Sequence, residues 1–186
     1  NDVSFTKKQK VMGQEKDVQV TVYQQEEDRP EVWKFKADGD KRYLLIHTDK
    51  DGLSAAFDVY VVKLGNHFFM DFFPTTMPEE EPKKGAGIGN LFNGQEKMNG
   101  LREIHLYPVH NFAKLEIKQN QLTISMFDPE FLKNLLERQQ IRIKHEKTES
   151  GYILTASPEE LQKFAQKYAN LKEAFLTDPI VLSKKE

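Results

Sequence analysis

Apolar and polar residues alternate with a period of two along most of this chain of 186 residues. Such alternation is the pattern of a β-strand with one buried face. In the segment Asp17–Gln25, for example, Val18, Val20 and Val22 share one face. From Trp33 to Pro74 the pattern repeats as strand and turn. The chain is therefore predicted to build a β framework.

The alternation predicts roughly nine to eleven strands. The three connections between Ala37 and Asn66 are short and contain Asp-Gly or Gly-Asn, which take the positive φ of tight turns, so the strands that they join are expected to run antiparallel. The segments that carry the strand pattern are Asp17–Gln25, Val32–Phe35, Tyr43–Thr48, Ala55–Lys63, His67–Phe73, Glu103–Tyr107, Asn111–Ile117, Leu122–Phe127, Arg142–Lys147, Tyr152–Ala156 and Pro179–Ser183.

Two helices interrupt the strands. One is predicted to begin after Asp128, because an N-cap Asp is followed by Pro129 and Glu130. The other is predicted to begin after Ser157, whose spacing to Glu160 is that of a capping box. The fold class is thus mainly β with two helices: an antiparallel up-and-down meander that forms a barrel or a strongly curved sheet.

The predicted strand His67–Phe73 is apolar on both faces. Phe68, Met70 and Phe72 point one way, while Phe69 and Phe73 point the other way. Two explanations are open: the second face lies under a helix or a long loop, or one face lines a ligand cavity.

The length and composition fit a single domain over residues 1–186. Residues 1–16 are rich in Lys and Gln and are predicted to be a weakly ordered arm or a short leading strand. Residues 75–100 are rich in Pro, Gly and charged residues, which predicts a long loop of the kind that serves as a lid or binding loop or is mobile.

The charge balance excludes some classes of partner. Lys and Arg number 27 and Asp and Glu number 29, so a nucleic-acid partner is not expected. No segment is apolar enough for a transmembrane helix. The chain contains no Cys, and its first residue is Asn1 rather than Met, which is compatible with a removed signal peptide and a lipid anchor upstream.

Chemical signatures are sparse, and no catalytic, metal or cofactor site is assigned. The glycines of segment 83–90 have neither the spacing nor the context of a phosphate-binding loop. Asp71 is the best candidate for a specific role, because it is a carboxylate among apolar residues. His105 and His110 are close in sequence, and with Asp71 they would suit a metal-dependent or acid–base hydrolase.

Three segments resemble an uncharacterised family of bacterial secreted or lipid-anchored envelope proteins. They are Leu64–Pro74, Tyr107–Ala113 and Asp128–Leu132. The resemblance implies a removed signal peptide and a periplasmic or surface location, with no active site to transfer. The meander is also loosely similar to lipocalin barrels, although Glu31 and Val32 precede Trp33 where the lipocalin entry motif has Gly-x-Trp.

The sequence alone does not determine the function. The favoured hypothesis is a non-enzymatic envelope protein that binds a small apolar ligand or a protein partner. Its candidate binding residues flank the aromatic strand and the later histidines: Phe69, Asp71, Phe73, His105, Tyr107 and His110. The hydrolase and a purely structural envelope component are the alternatives.

Overall fold

A computed structural model describes residues 5–11, 14–24, 30–78, 101, 109–149 and 151–184. Eleven strands lie within these residues. They are β1 Phe5–Val11, β2 Gln14–Gln24, β3 Val32–Ala37, β4 Arg42–Thr48, β5 Ser54–Leu64, β6 His67–Thr75, β7 Asn111–Lys118, β8 Gln121–Met126, β9 His145–Thr148, β10 Gly151–Leu154 and β11 Ile180–Lys184.

The main sheet is a strongly curled antiparallel meander. The strands from β3 to β8 pair in chain order, and β11 pairs with β8. β2 pairs with β3 along Val20–Gln24 and meets β11 through Tyr23 and Gln24. Every one of these pairings is antiparallel. Because β2 pairs with both β3 and β11, the ladder of hydrogen bonds curls back on itself. The predicted fold class is confirmed.

Tight turns hold the meander in register. Gly39, Gly52 and Gly65 each have a positive φ, at 90°, 79° and 61°, which a residue without a Cβ adopts at little cost. In the second of these turns, the Asp49 carboxylate accepts hydrogen bonds from the backbone N–H groups of Asp51 and Leu53. The turns therefore lie where the Asp-Gly and Gly-Asn pairs predicted them.

The concave side of the sheet encloses an aromatic and aliphatic core. Alternate residues of each strand point into it, as period-two patterning requires. Its most deeply buried members are Trp33, Leu45, Phe57, Val59, Met70, Phe72, Ala113, Ile124 and Leu182.

Two helices pack outside the sheet. Helix α1 spans Pro129–Glu137, and the carboxylate of its N-cap Asp128 accepts a hydrogen bond from the Glu130 N–H. Helix α2 spans Pro158–Tyr168, and both hydrogen bonds of the predicted capping box are formed. A short 3₁₀ helix, Lys172–Ala174, precedes β11. No helix among the described residues is both long and apolar enough to cross a bilayer.

Some predictions need adjustment at the edges. The segment 1–16 contains the leading strand β1, one of the two interpretations of its sequence. β9 begins at His145 rather than Arg142, since Ile141 and Ile143 pack against the cluster under the helices. Nearly all of the predicted loop 75–100 and the predicted strand Glu103–Tyr107 lie outside the described residues.

Candidate functional site

Both faces of β6 are occupied in the way the sequence suggested. Met70 and Phe72 belong to the core inside the curled sheet. Phe69 is only 2% exposed and packs on the outer side against Ala165 and Ala169 of the α2 region. At Phe69, therefore, the second face of this strand lies under a helix, which is the first of the two explanations for its two apolar faces.

Asp71 lies on the same outer face of β6, next to His110 at the entry of β7. The His110 Nδ1 atom is 2.9 Å from Oδ2 and 3.1 Å from Oδ1 of Asp71. Because an ionised carboxylate only accepts hydrogen bonds, the Nδ1–H of the imidazole is the donor. In neutral His110 this leaves Nε2 as the acceptor of the ring.

Phe73 supports this pair. It is two residues beyond Asp71 and so shares its face of the strand, and its ring centroid is 4.7 Å from that of His110, with the planes tilted by 34°. His110 is nevertheless 62% exposed. The imidazole is thus fixed at one nitrogen and along one ring face, while the rest of it remains open to a binding partner.

The surroundings of Asp71 disfavour its charged form. Partial burial among apolar neighbours raises the pKa of its carboxyl group above the ordinary value of 3.8, and the interaction with His110 partly offsets that rise. Such opposing effects are typical of functional carboxylates, although structural ion pairs show them too.

Tyr60 is a residue of this surface that the sequence did not single out. It lies directly opposite Asp71 in the β5–β6 ladder, and 43% of it is exposed. Only the register between the strands places it there, so no local motif would have found it. We call Tyr60, Asp71, Phe73 and His110 the Asp71 surface.

The structure brings only part of the predicted set together. Asp71, Phe73 and His110 are neighbours, whereas Phe69 is covered by α2 and is not accessible. His105 and Tyr107 lie outside the described residues. In the part of the chain that the structure describes, no three His, Cys, Asp or Glu side chains are grouped as a metal site would require.

A second polar pair lies at the inner side of β3 and β4. His47 is 2% exposed, its Nε2 atom is 3.2 Å from Oε2 of Glu31, and its ring meets that of Trp33 edge-on at 4.8 Å. The hydrogen bond with His47 lowers the pKa of Glu31, and the nearby charge of Lys50 lowers it as well. Partial burial of Glu31 has the opposite, smaller effect. Because this pair is largely enclosed, it is better suited to stability than to binding.

No model of a known protein family, no curated protein and no solved structure matches this chain.

Proposed function

We propose that this protein is a non-enzymatic binding protein of the bacterial envelope that recognises a protein partner through the Asp71 surface. The observation that carries the proposal is the exposed imidazole of His110, which is hydrogen-bonded to Asp71 and packed against the Phe73 ring. The envelope location rests on the resemblance of the sequence segments described above.

A protein partner suits the geometry better than a small apolar ligand. In the described part of the chain, large side chains such as Trp33, Phe57 and Phe72 pack together inside the sheet. A curled sheet of about eight strands can hold one small ligand only where its inward side chains leave room for it. The Asp71 surface, in contrast, offers Tyr60 and His110 on an outer face, and aromatic side chains are enriched at protein interfaces.

Binding to the Asp71 surface is tested with matched variants. A partner protein would be recovered by crosslinking in cells and purified. The Kd of its complex would then be measured with the wild type, with Tyr60→Ala and His110→Ala, and with the control Lys133→Ala on α1. We expect each of the first two substitutions to weaken binding by about tenfold or more, since hot-spot truncations cost over about 1.4 kcal/mol. Equal binding by all four proteins would refute this site.

The ligand alternative has its own readout. The wild type is incubated with a lipid extract and examined by native mass spectrometry. A retained apolar molecule, unaffected by His110→Ala, would replace the partner hypothesis with binding inside the sheet.

An acid–base hydrolase is the second candidate, and the Asp71–His110 contact favours it. A carboxylate on Nδ1 leaves Nε2 as the base that takes a proton from water. A panel of activated esters would be tested with the wild type, Asp71→Asn and His110→Ala. If the protein is an esterase, removing the base lowers kcat by about a hundredfold or more. Turnover that survives both substitutions would exclude this dyad.

A further inference from the structure

A different surface lies where two hairpins end side by side. The turn Gly65–Asn66 joins β5 to β6, and the turn Gln119–Asn120 joins β7 to β8. Phe68 of β6 is paired with Leu115 of β7, which places both turns at the same end of the sheet. We call this end, with Lys63, Phe68, Ile117 and Lys118, the hairpin tip.

The tip exposes apolar side chains that elsewhere in the sheet would be core. Phe68 follows the inward alternation of Met70 and Phe72 yet is 45% exposed. By the same alternation along β7, Ile117 lies on the inner face with Ala113 and Leu115, yet it is 64% exposed. The two side chains share one face and are near diagonal neighbours across the β6–β7 pair. They form a small contiguous apolar projection.

Basic residues lie on both faces of the sheet beside this apolar pair. The Nζ atom of Lys63 lies 5.8 Å from the centre of the Phe68 ring. Lys118 is 81% exposed and makes a 3.2 Å ion pair with Glu116. The backbone N–H of Lys184, at the end of β11, donates a 2.7 Å hydrogen bond to the Asn120 carbonyl, so the backbone of a third lysine lies at the same turn.

We propose that the hairpin tip docks on an anionic lipid bilayer, with Ile117 and Phe68 entering the interface and the lysines facing the headgroups. Apolar tips flanked by lysines are the combination that binds such surfaces, because burial of apolar area and attraction to anionic lipid act together. A second copy of this chain fits less well, since a two-fold contact would place the same lysine-bearing tip of both copies face to face.

Docking at the tip leaves the Asp71 surface accessible. Asp71 lies further along β6 on its outer face, whereas Phe68 points to the inner face at the end of the strand. The bilayer contact therefore does not depend on the proposed partner, and the two are tested by different variants.

The test is co-sedimentation with vesicles of phosphatidylcholine alone and of phosphatidylcholine mixed with phosphatidylglycerol. We expect the wild type to sediment with the mixed vesicles and added salt to release it. Ile117→Ser is expected to lower the partition coefficient by about tenfold, and Lys63→Gln by about fivefold. Phe68→Ser is a second variant that removes an apolar side chain from the tip. Circular dichroism verifies that each variant is folded.

Matched controls come from other exposed positions. Val181→Ser removes an exposed apolar side chain from β11, and Lys133→Gln removes a lysine from α1. Both should bind vesicles as the wild type does. The proposal is overturned if the wild type fails to sediment with anionic vesicles, if the controls lose as much binding as Ile117→Ser, or if Ile117→Ser instead abolishes a concentration-dependent dimer.

Discussion

Asp71 shows how one side chain can be held between two opposing effects. Its position opposite Tyr60 and Phe112 removes part of its hydration, while His110 supplies a donor to its oxygens. Burial is the larger effect and raises the pKa of the carboxyl group. A carboxylic acid whose pKa is raised on folding binds its proton more tightly in the folded chain, so it favours folding at low pH.

The first prediction concerns Asp71→Asn. The stability of the wild type relative to this variant should fall as pH rises from 3.8 through the raised pKa of Asp71, because the charged form is the costly one. Urea denaturation of both proteins at a series of pH values measures the difference. A difference that grows in favour of the wild type over that range would contradict the prediction.

Glu31 is expected to behave in the opposite way. The hydrogen bond with His47 lowers its pKa below 4.5, so the stability it contributes is present above pH 4.5 and is lost as pH falls through the lowered pKa. Glu31→Gln should cost about 1 kcal/mol at pH 7, and the cost should shrink in acid. Glu130→Gln, at an exposed ion pair on α1, is the control and should change little. A cost that is constant from neutral to acid pH would argue against the His47 pairing.

At the level of the element, β6 separates two adjacent phenylalanines that look alike in the sequence. Phe69 is covered by α2, whereas Phe68 projects from the hairpin tip. The alternation predicted which residues share a face, and the caps at Asp128 and Ser157 predicted where the helices begin. Neither pattern predicted which part of the outer face of the sheet a helix would cover, because that depends on tertiary packing.

The substitutions Phe69→Ala and Phe68→Ala should differ accordingly. We expect the first to lower the free energy of unfolding by about 3–5 kcal/mol, since it leaves a cavity under α2. The second, at a largely exposed position, should change it by about 0.5 kcal/mol or less. Chemical denaturation of both variants measures the contrast, and equal losses would mean that α2 does not cover Phe69.

The Asp71 surface was only partly predictable for a related reason. Asp71 and His110 were recognisable as candidates by residue type, but they are 39 residues apart in sequence. Their contact depends on the register of β6 against β7, and Tyr60 joins them through the register of β5. Local patterns determine strands and turns, whereas a site assembled across strands requires the register.

At the level of the whole molecule, β11 joins distant parts of the sheet. It pairs with β8 through Ile180–Ser183 and with the end of β2 through Ser183 and Lys184. Leu182 points from its centre into the core and is fully buried. The sequence predicted a strand at Pro179–Ser183, and the structure confirms it.

Two neighbouring substitutions test the contribution of β11. Leu182→Ala should destabilise the protein by about 2–5 kcal/mol, because it opens a cavity where β11 meets the core. Val181→Ala, at the adjacent outward position, should have little effect. Thermal denaturation followed by circular dichroism compares them, and an equally small effect of both would show that β11 is not an integral part of the sheet.

The position of β11 also sets the order of events during synthesis. β8 leaves the ribosome before β11, so one edge of β8 has no neighbour until β11 has been translated. β2 is paired with β1 and β3, and only its end at Tyr23 and Gln24 waits for β11. Unpaired strand edges beside exposed apolar residues are prone to aggregation. The complete sheet therefore forms only after β11 has been made, late in translation or afterwards, and the edge of β8 is open to non-native pairing until then.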